Sequence, residues 1–139
     1  MLDSILNSEQ IFRIQRITIK GDQTMKLYFA HAKEDYNTEY EQKCLELIRD
    51  QYPRYEIINP KDIKIEGDQT DPKDYTKFMA RMNRIYFPEI LKCYVLIAVV
   101  SSNTGNLTQG VRKEIEFALR HNLKVSNLDG AQFLLSGEV

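Results

Sequence analysis

Glu114 has the setting that most favours chemistry. In Gly110-Val111-Arg112-Lys113-Glu114-Ile115-Glu116-Phe117-Ala118-Leu119, a turn of roughly 100° per residue puts Val111, Ile115, Ala118 and Leu119 on one stripe of a helix. Arg112, Lys113, Glu116 and Arg120 fall opposite, and Glu114 lies on the flank between. Glu116 has Arg112 four residues before it and Arg120 four after, so solvated ion pairs account for it. Glu114 has Gly110 and Ala118 at those offsets. A carboxylate with no charge partner on its own helix, beside an apolar face, is how a reactive acid is usually presented.

The other candidates gather where strands should end. His31 follows the apolar run Lys26 to Ala30, which contains Tyr28, and the small polar loop Ser101-Ser102-Asn103-Thr104-Gly105-Asn106 follows the run Tyr94 to Val100. Tyr28 and Phe29 face opposite sides of their strand, so one of the two is core. Cys44 and Cys93 lack metal-type spacing and read as buried thiols in a reducing compartment. The acidic residues Glu34, Asp35, Asp62 and Asp68 have no histidine at ligand spacing, so no metal site is expected.

Alternating strands and helices must position these residues. Lys26 to Ala30, Tyr55 to Ile58, Tyr94 to Val100 and Leu123 to Val125 read as strands, with Gln132 to Leu135 a fifth. Between them fall a helix capped by Asn37 or Thr38 with Tyr40, Cys44, Leu47 and Ile48 inward, a helix over Asp74 to Arg84 that Pro88 interrupts, and a helix over Thr108 to His121. That order predicts an α/β fold, an open parallel Rossmann/flavodoxin-like sheet of four to five strands with flanking helices. Ligands of such sheets sit beyond the carboxyl ends of the strands. The polar stretch Lys61 to Lys73 suggests a surface excursion over that edge.

Composition narrows the partners. The chain has 139 residues, 42% hydrophobic and 28% charged, with a formal charge of -1, which suits one soluble globular domain and gives no basic surplus for nucleic acid. Tyr94 to Val100, the longest apolar run, is too short to span a bilayer, and no signal peptide is legible, so a cytoplasmic location without membrane contact is expected. The domain should occupy residues 25–139. Residues 1–24 fit an edge strand or oligomer contact, or a leader before a start at Met25, which Lys20-Gly21-Asp22 would allow if encoded as a ribosome-binding sequence.

From about Lys26 to Val125 the chain resembles the nucleoside 2-deoxyribosyltransferase superfamily, which includes nucleotide N-glycoside hydrolases. Leu27-Tyr28-Phe29, the block from Cys93 through Tyr94 to Val100, and Gly110, Glu114, Phe117 and Ala118 on one helix carry the resemblance. It implies that Glu114 is the nucleophile and that the protein is a homodimer or higher homo-oligomer. Tyr28, His31, Ser101, Ser102, Thr104, Gly105 and Gly110 are the expected contacts to a nucleoside or nucleotide, and no cofactor is expected. Where the family has an acid that assists the departing base, this sequence has Tyr86, and its nearest carboxylate is Glu89. Cleavage of an N-glycosidic bond builds positive charge on the anomeric carbon, so a carboxylate there stabilises the transition state and can capture the sugar. His31, Tyr86 or Glu89 would then serve the base. Two other classes fit the same residues. One is a nucleotide-binding or TIR-like module, since Phe29-Ala30-His31 followed by acidic residues also resembles a TIR first strand, and the other is an interaction protein on an α/β scaffold.

Overall fold

In the computed structural model, which describes residues 25–68 and 70–128, the short apolar runs pair into one sheet. Strands β1 (Met25–Ala30), β2 (Tyr55–Ile58), β3 (Val95–Ala98) and β4 (Lys124–Ser126) are all parallel, in the order β2-β1-β3-β4. Helix α1 (Glu39–Gln51) connects β1 to β2, and α4 (Gln109–Arg120) connects β3 to β4. Between β2 and β3 run α2 (Tyr75–Arg81), a π-helical turn (Met82–Tyr86) and α3 (Phe87–Ile90). This is the expected open Rossmann/flavodoxin-like α/β arrangement. The fifth strand anticipated at 132–135 and the segment 1–24 lie outside the described residues.

Burial on both faces follows from β1 and β3 sitting inside the sheet. Tyr28, Ala30, Leu96 and Ala98 pack against Phe78, Met82, Phe87, Val111 and Ile115 of the helices on one side. Leu27, Phe29, Val95, Ile97 and Val99 pack against Cys44, Leu45 and Ile48 of α1 on the other. Because the chain leaves β1 and β3 over opposite faces, a crevice opens at their carboxyl ends, where open α/β sheets hold ligands.

Side-chain oxygens fix where the helices begin. Thr38 accepts from the Glu41 amide, Asp74 from Lys77, and Thr108 from Val111. Two inward positions differ from the helical reading. Leu47 and Leu119 are exposed, while Leu45, Glu41 and Glu114 are buried, because each polar side chain finds a partner across the sheet edge. Pro88 does not break its helix. The π turn before it carries an amide-to-carbonyl bond from Phe87 to Met82, a five-residue step, and the proline sits in the first turn of α3, where its missing donor costs little. Among the described residues no helix is long and apolar enough to cross a membrane.

Candidate active site

A cavity of about 250 Å³ lies at the carboxyl ends of β1 and β3. The β1 exit contributes His31, Lys33 and Tyr36, the 61–73 excursion contributes Asp71, α2 and the π turn contribute Phe78 and Tyr86, and the start of α4 contributes Gly110 and Glu114. Glu114 is 5% exposed. Tyr28, fully buried beneath it, donates its hydroxyl to Oε2 at 2.6 Å, the carboxyl's one hydrogen-bond partner among the described residues. Burial pushes the Glu114 carboxyl up to about 8; the Tyr28 hydrogen bond works against that rise, Asp71 adds to it and Lys33 opposes it. The Tyr28 hydroxyl is itself raised by burial and then by Glu114, so it stays a donor. The Tyr36 hydroxyl is raised for the same two reasons.

Across the cavity stands a charged cluster. The Lys33 ammonium sits 2.6 Å from Asp71 Oδ1 and 5.8 Å from the centre of the Tyr86 ring. Asp71 is also 3.7 Å from Arg81, whose guanidinium donates to the carbonyls of Thr70 and Asp68 and so ties the 61–73 excursion to α2. Burial raises the Tyr86 hydroxyl, and the neighbouring Lys33 pulls it back.

His31 points the other way. Its Nδ1 lies 3.0 Å from the Phe29 carbonyl and its Nε2 2.7 Å from Glu41 Oε2, with both side chains fully buried. Glu41 also accepts from the Asn37 amide and from Asn59. The polar loop after β3 is likewise committed. Ser101 and Asn103 donate to Glu34, while the amide and hydroxyl of Ser102 donate to Asp35.

The residues expected from sequence therefore divide. Glu114, Gly110, Tyr86 and His31 line the cavity, with the His31 imidazole turned away into the α1 side of the sheet, and Tyr28 touches Glu114 from behind. Ser101, Ser102, Thr104 and Gly105 are not on its wall, because the carboxylates of the Lys33–Asp35 turn draw this loop to themselves. Glu89 is not there either; it pairs with Lys92 at 2.9 Å on the outer side of α3. Glu116 pairs with Lys113 rather than with Arg112 or Arg120. Lys33, Tyr36 and Asp71 are among the wall residues that sequence reasoning missed. Their signal was positional, since Lys33 and Tyr36 follow the β1 exit and Asp71 lies near the end of the excursion.

Gly110 is not demanded by the protein's own packing. A Cβ there would meet Phe78 Cζ at 3.8 Å, an ordinary contact. Gly110→Ala is expected to leave the fold unchanged or stabilise it, by up to about 1 kcal/mol in urea unfolding. Loss of ligand binding in that variant then comes from the methyl group at the cavity wall.

Among the described residues no group of three or more His, Cys, Asp or Glu side chains is placed to hold a metal ion. No protein family, curated protein or solved structure matches the chain.

Proposed function

We propose that the protein cleaves or transfers the N-glycosidic bond of a nucleoside, with Glu114 as the nucleophile. One observation carries this reading: a buried carboxyl forms part of the wall of a small cavity and is gripped from behind by a phenol. Ligand pockets start at roughly 300 Å³, so about 250 Å³ suits a single sugar and base better than a dinucleotide. Attack needs the ionised Glu114, the minor form at pH 7 that grows toward about 8; its Oε1 bonds the anomeric carbon as the base leaves with the electron pair of the broken bond, while Tyr28 holds Oε2. In the same reading the protein acts in the cytoplasm as a homo-oligomer.

Charge favours the nucleoside over its monophosphate. Glu34, Asp71 and Glu114 line the cavity against Lys33 as its one lysine or arginine among the described residues. The donors of the loop after β3 that would suit a phosphate are bound to Glu34 and Asp35.

Tyr28→Phe removes the hydrogen bond that favours the carboxylate, so the Glu114 carboxyl should rise further. A charge-assisted hydrogen bond contributes about 1.5–3 kcal/mol, so kcat/KM at pH 7 should fall roughly 10- to 100-fold and recover in part at higher pH. Initial rates across a pH series check this.

The reading is tested by incubating the protein with deoxynucleosides, their monophosphates and NAD and separating free base by chromatography. Base release that is lost in Glu114→Ala and kept in Glu116→Ala supports it. Saturable binding without base release makes the protein a nucleotide-binding module, and neither binding nor release leaves an interaction scaffold.

A further inference from the structure

We propose that Glu34 holds a hydroxyl of the substrate's sugar, an inference that deepens the glycosidic reading above and rests on it. Glu34 belongs to the cavity wall and is exposed. A carboxylate on a solvated turn is ordinarily free to move, but the loop after β3 fixes this one. The Ser101 hydroxyl donates to Oε2 at 3.0 Å, and the Asn103 side-chain amide donates to the same oxygen. Ser101 is 1% exposed, and its oxygen also accepts from the Asn103 backbone amide at 3.1 Å, so the grip on Glu34 is anchored in the interior.

Both bonds end on Oε2. Oε1 has no partner among the described residues, and no lysine or arginine among them pairs with Glu34. Neutral donors orient the group, and no cation cancels its charge. An ionised carboxylate accepts hydrogen bonds and gives none, so the ligand group that meets it must be a donor.

A nucleoside has two kinds of donor, the hydroxyls of its sugar and the amino group of its base, and the path of the chain separates them. Ser101 and Asn103 lie on the segment that runs from β3 into α4, whose cap Thr108 and first-turn residues Gly110 and Val111 line the cavity just ahead of Glu114. Glu34 is thereby tied to the element that carries the nucleophile. The sugar must lie there for Glu114 to reach the anomeric carbon. Ser101 and Asn103 are then positioning residues, which act on the sugar through Glu34.

The test removes one hydroxyl at a time. kcat/KM is measured for a 2′-deoxynucleoside that the parent protein cleaves and for its 3′-deoxy and 5′-deoxy analogues, in the parent, Glu34→Ala and Glu34→Gln. In the parent, loss of one of these hydroxyls should lower kcat/KM roughly 10- to 100-fold, as loss of a hydrogen bond to a charged group does. In Glu34→Ala the same loss should cost less than about 3-fold, with the effect of the other hydroxyl unchanged, because comparison between proteins cancels each analogue's own reactivity. Glu34→Gln keeps an acceptor for Ser101 and Asn103, and therefore the loop, and should discriminate to an intermediate degree. A uniform loss on all three substrates, or discrimination in Glu34→Ala equal to the parent's, would overturn the assignment. So would a Glu34→Ala protein that instead ceases to distinguish purine deoxynucleosides with and without a 6-amino group, since the carboxylate would then serve the base. Failure of the parent protein to release base from any of these substrates would sink the glycosidic reading, and this subsite with it.

Discussion

Glu114→Gln is expected to abolish base release and, at the same time, to make the protein more stable at neutral pH. Loss of a nucleophile should lower kcat by ~1000-fold or more. The stability gain follows from the carboxyl's own titration. In the unfolded chain it ionises near 4.5, and in the folded protein it stays protonated up to about 8. Between those values the unfolded state binds fewer protons than the folded one, so stability falls as pH rises. Each pH unit in that window costs about 1.4 kcal/mol, which gives on the order of 3 kcal/mol at pH 7. Glutamine carries no proton to lose, and its carbonyl can still accept from Tyr28. The two proteins should therefore match at pH 4, diverge up to about pH 8 and stay parallel above it, as urea unfolding at several pH values would show. Opposite effects on activity and stability are what a residue kept for chemistry, against the interest of the fold, should give.

Glu41→Gln should produce the largest loss of stability. The Phe29 carbonyl can only accept, so His31 Nδ1 donates to it and Nε2 is left facing Glu41 Oε2. The pair is a fully buried imidazole and carboxyl joined at 2.7 Å. Burial works to raise the Glu41 carboxyl, but His31, the Asn37 amide and Asn59 together hold it below its ordinary value. Its contribution to stability is thus present above about 4.5 and is lost as pH falls through the lower folded value. Replacing one partner takes a hydrogen bond from a buried polar group in a site with no water contact, at a cost of about 1–3 kcal/mol. The double variant His31→Leu, Glu41→Leu should lose less than the sum of the single changes, by at least ~1 kcal/mol in a double-mutant cycle. Additive losses would mean that the two residues do not act as a pair.

The fold was legible because its signals are local. Each strand is a short apolar run, and Thr38 was one of the two residues, with Asn37, readable as the cap of α1 from its place before the helical stripe. Glu114 was legible for the same reason, since helical spacing alone sets it beside the buried face. His31 was assigned to the ligand on position along the chain, yet strand alternation gives it the parity of Phe29, and its ring stacks on Phe29 at 3.8 Å on the α1 side. Glu41 was invisible from its own helix, where a carboxylate reads as solvated; its burial depends on His31 and Asn59, which arrive from two other strands. Ser101 and Ser102 had the right chemistry for a ligand but meet Glu34 and Asp35 first, a contact spanning 67 residues that no local pattern encodes. Lys33 and Asp71 come together across 38 residues, and only the folded excursion unites them.

The most direct test of the account is whether a sugar becomes attached to Glu114. A nucleoside with a 2′-fluoro arabinosyl sugar destabilises the charged transition states of both steps and should let the glycosyl-protein accumulate. Intact-mass spectrometry should then show the protein heavier by one fluorosugar, with fragmentation of the 114–120 peptide placing the addition on Glu114 and not on Glu116. Base release without any such adduct, or an adduct on another residue, would contradict the account.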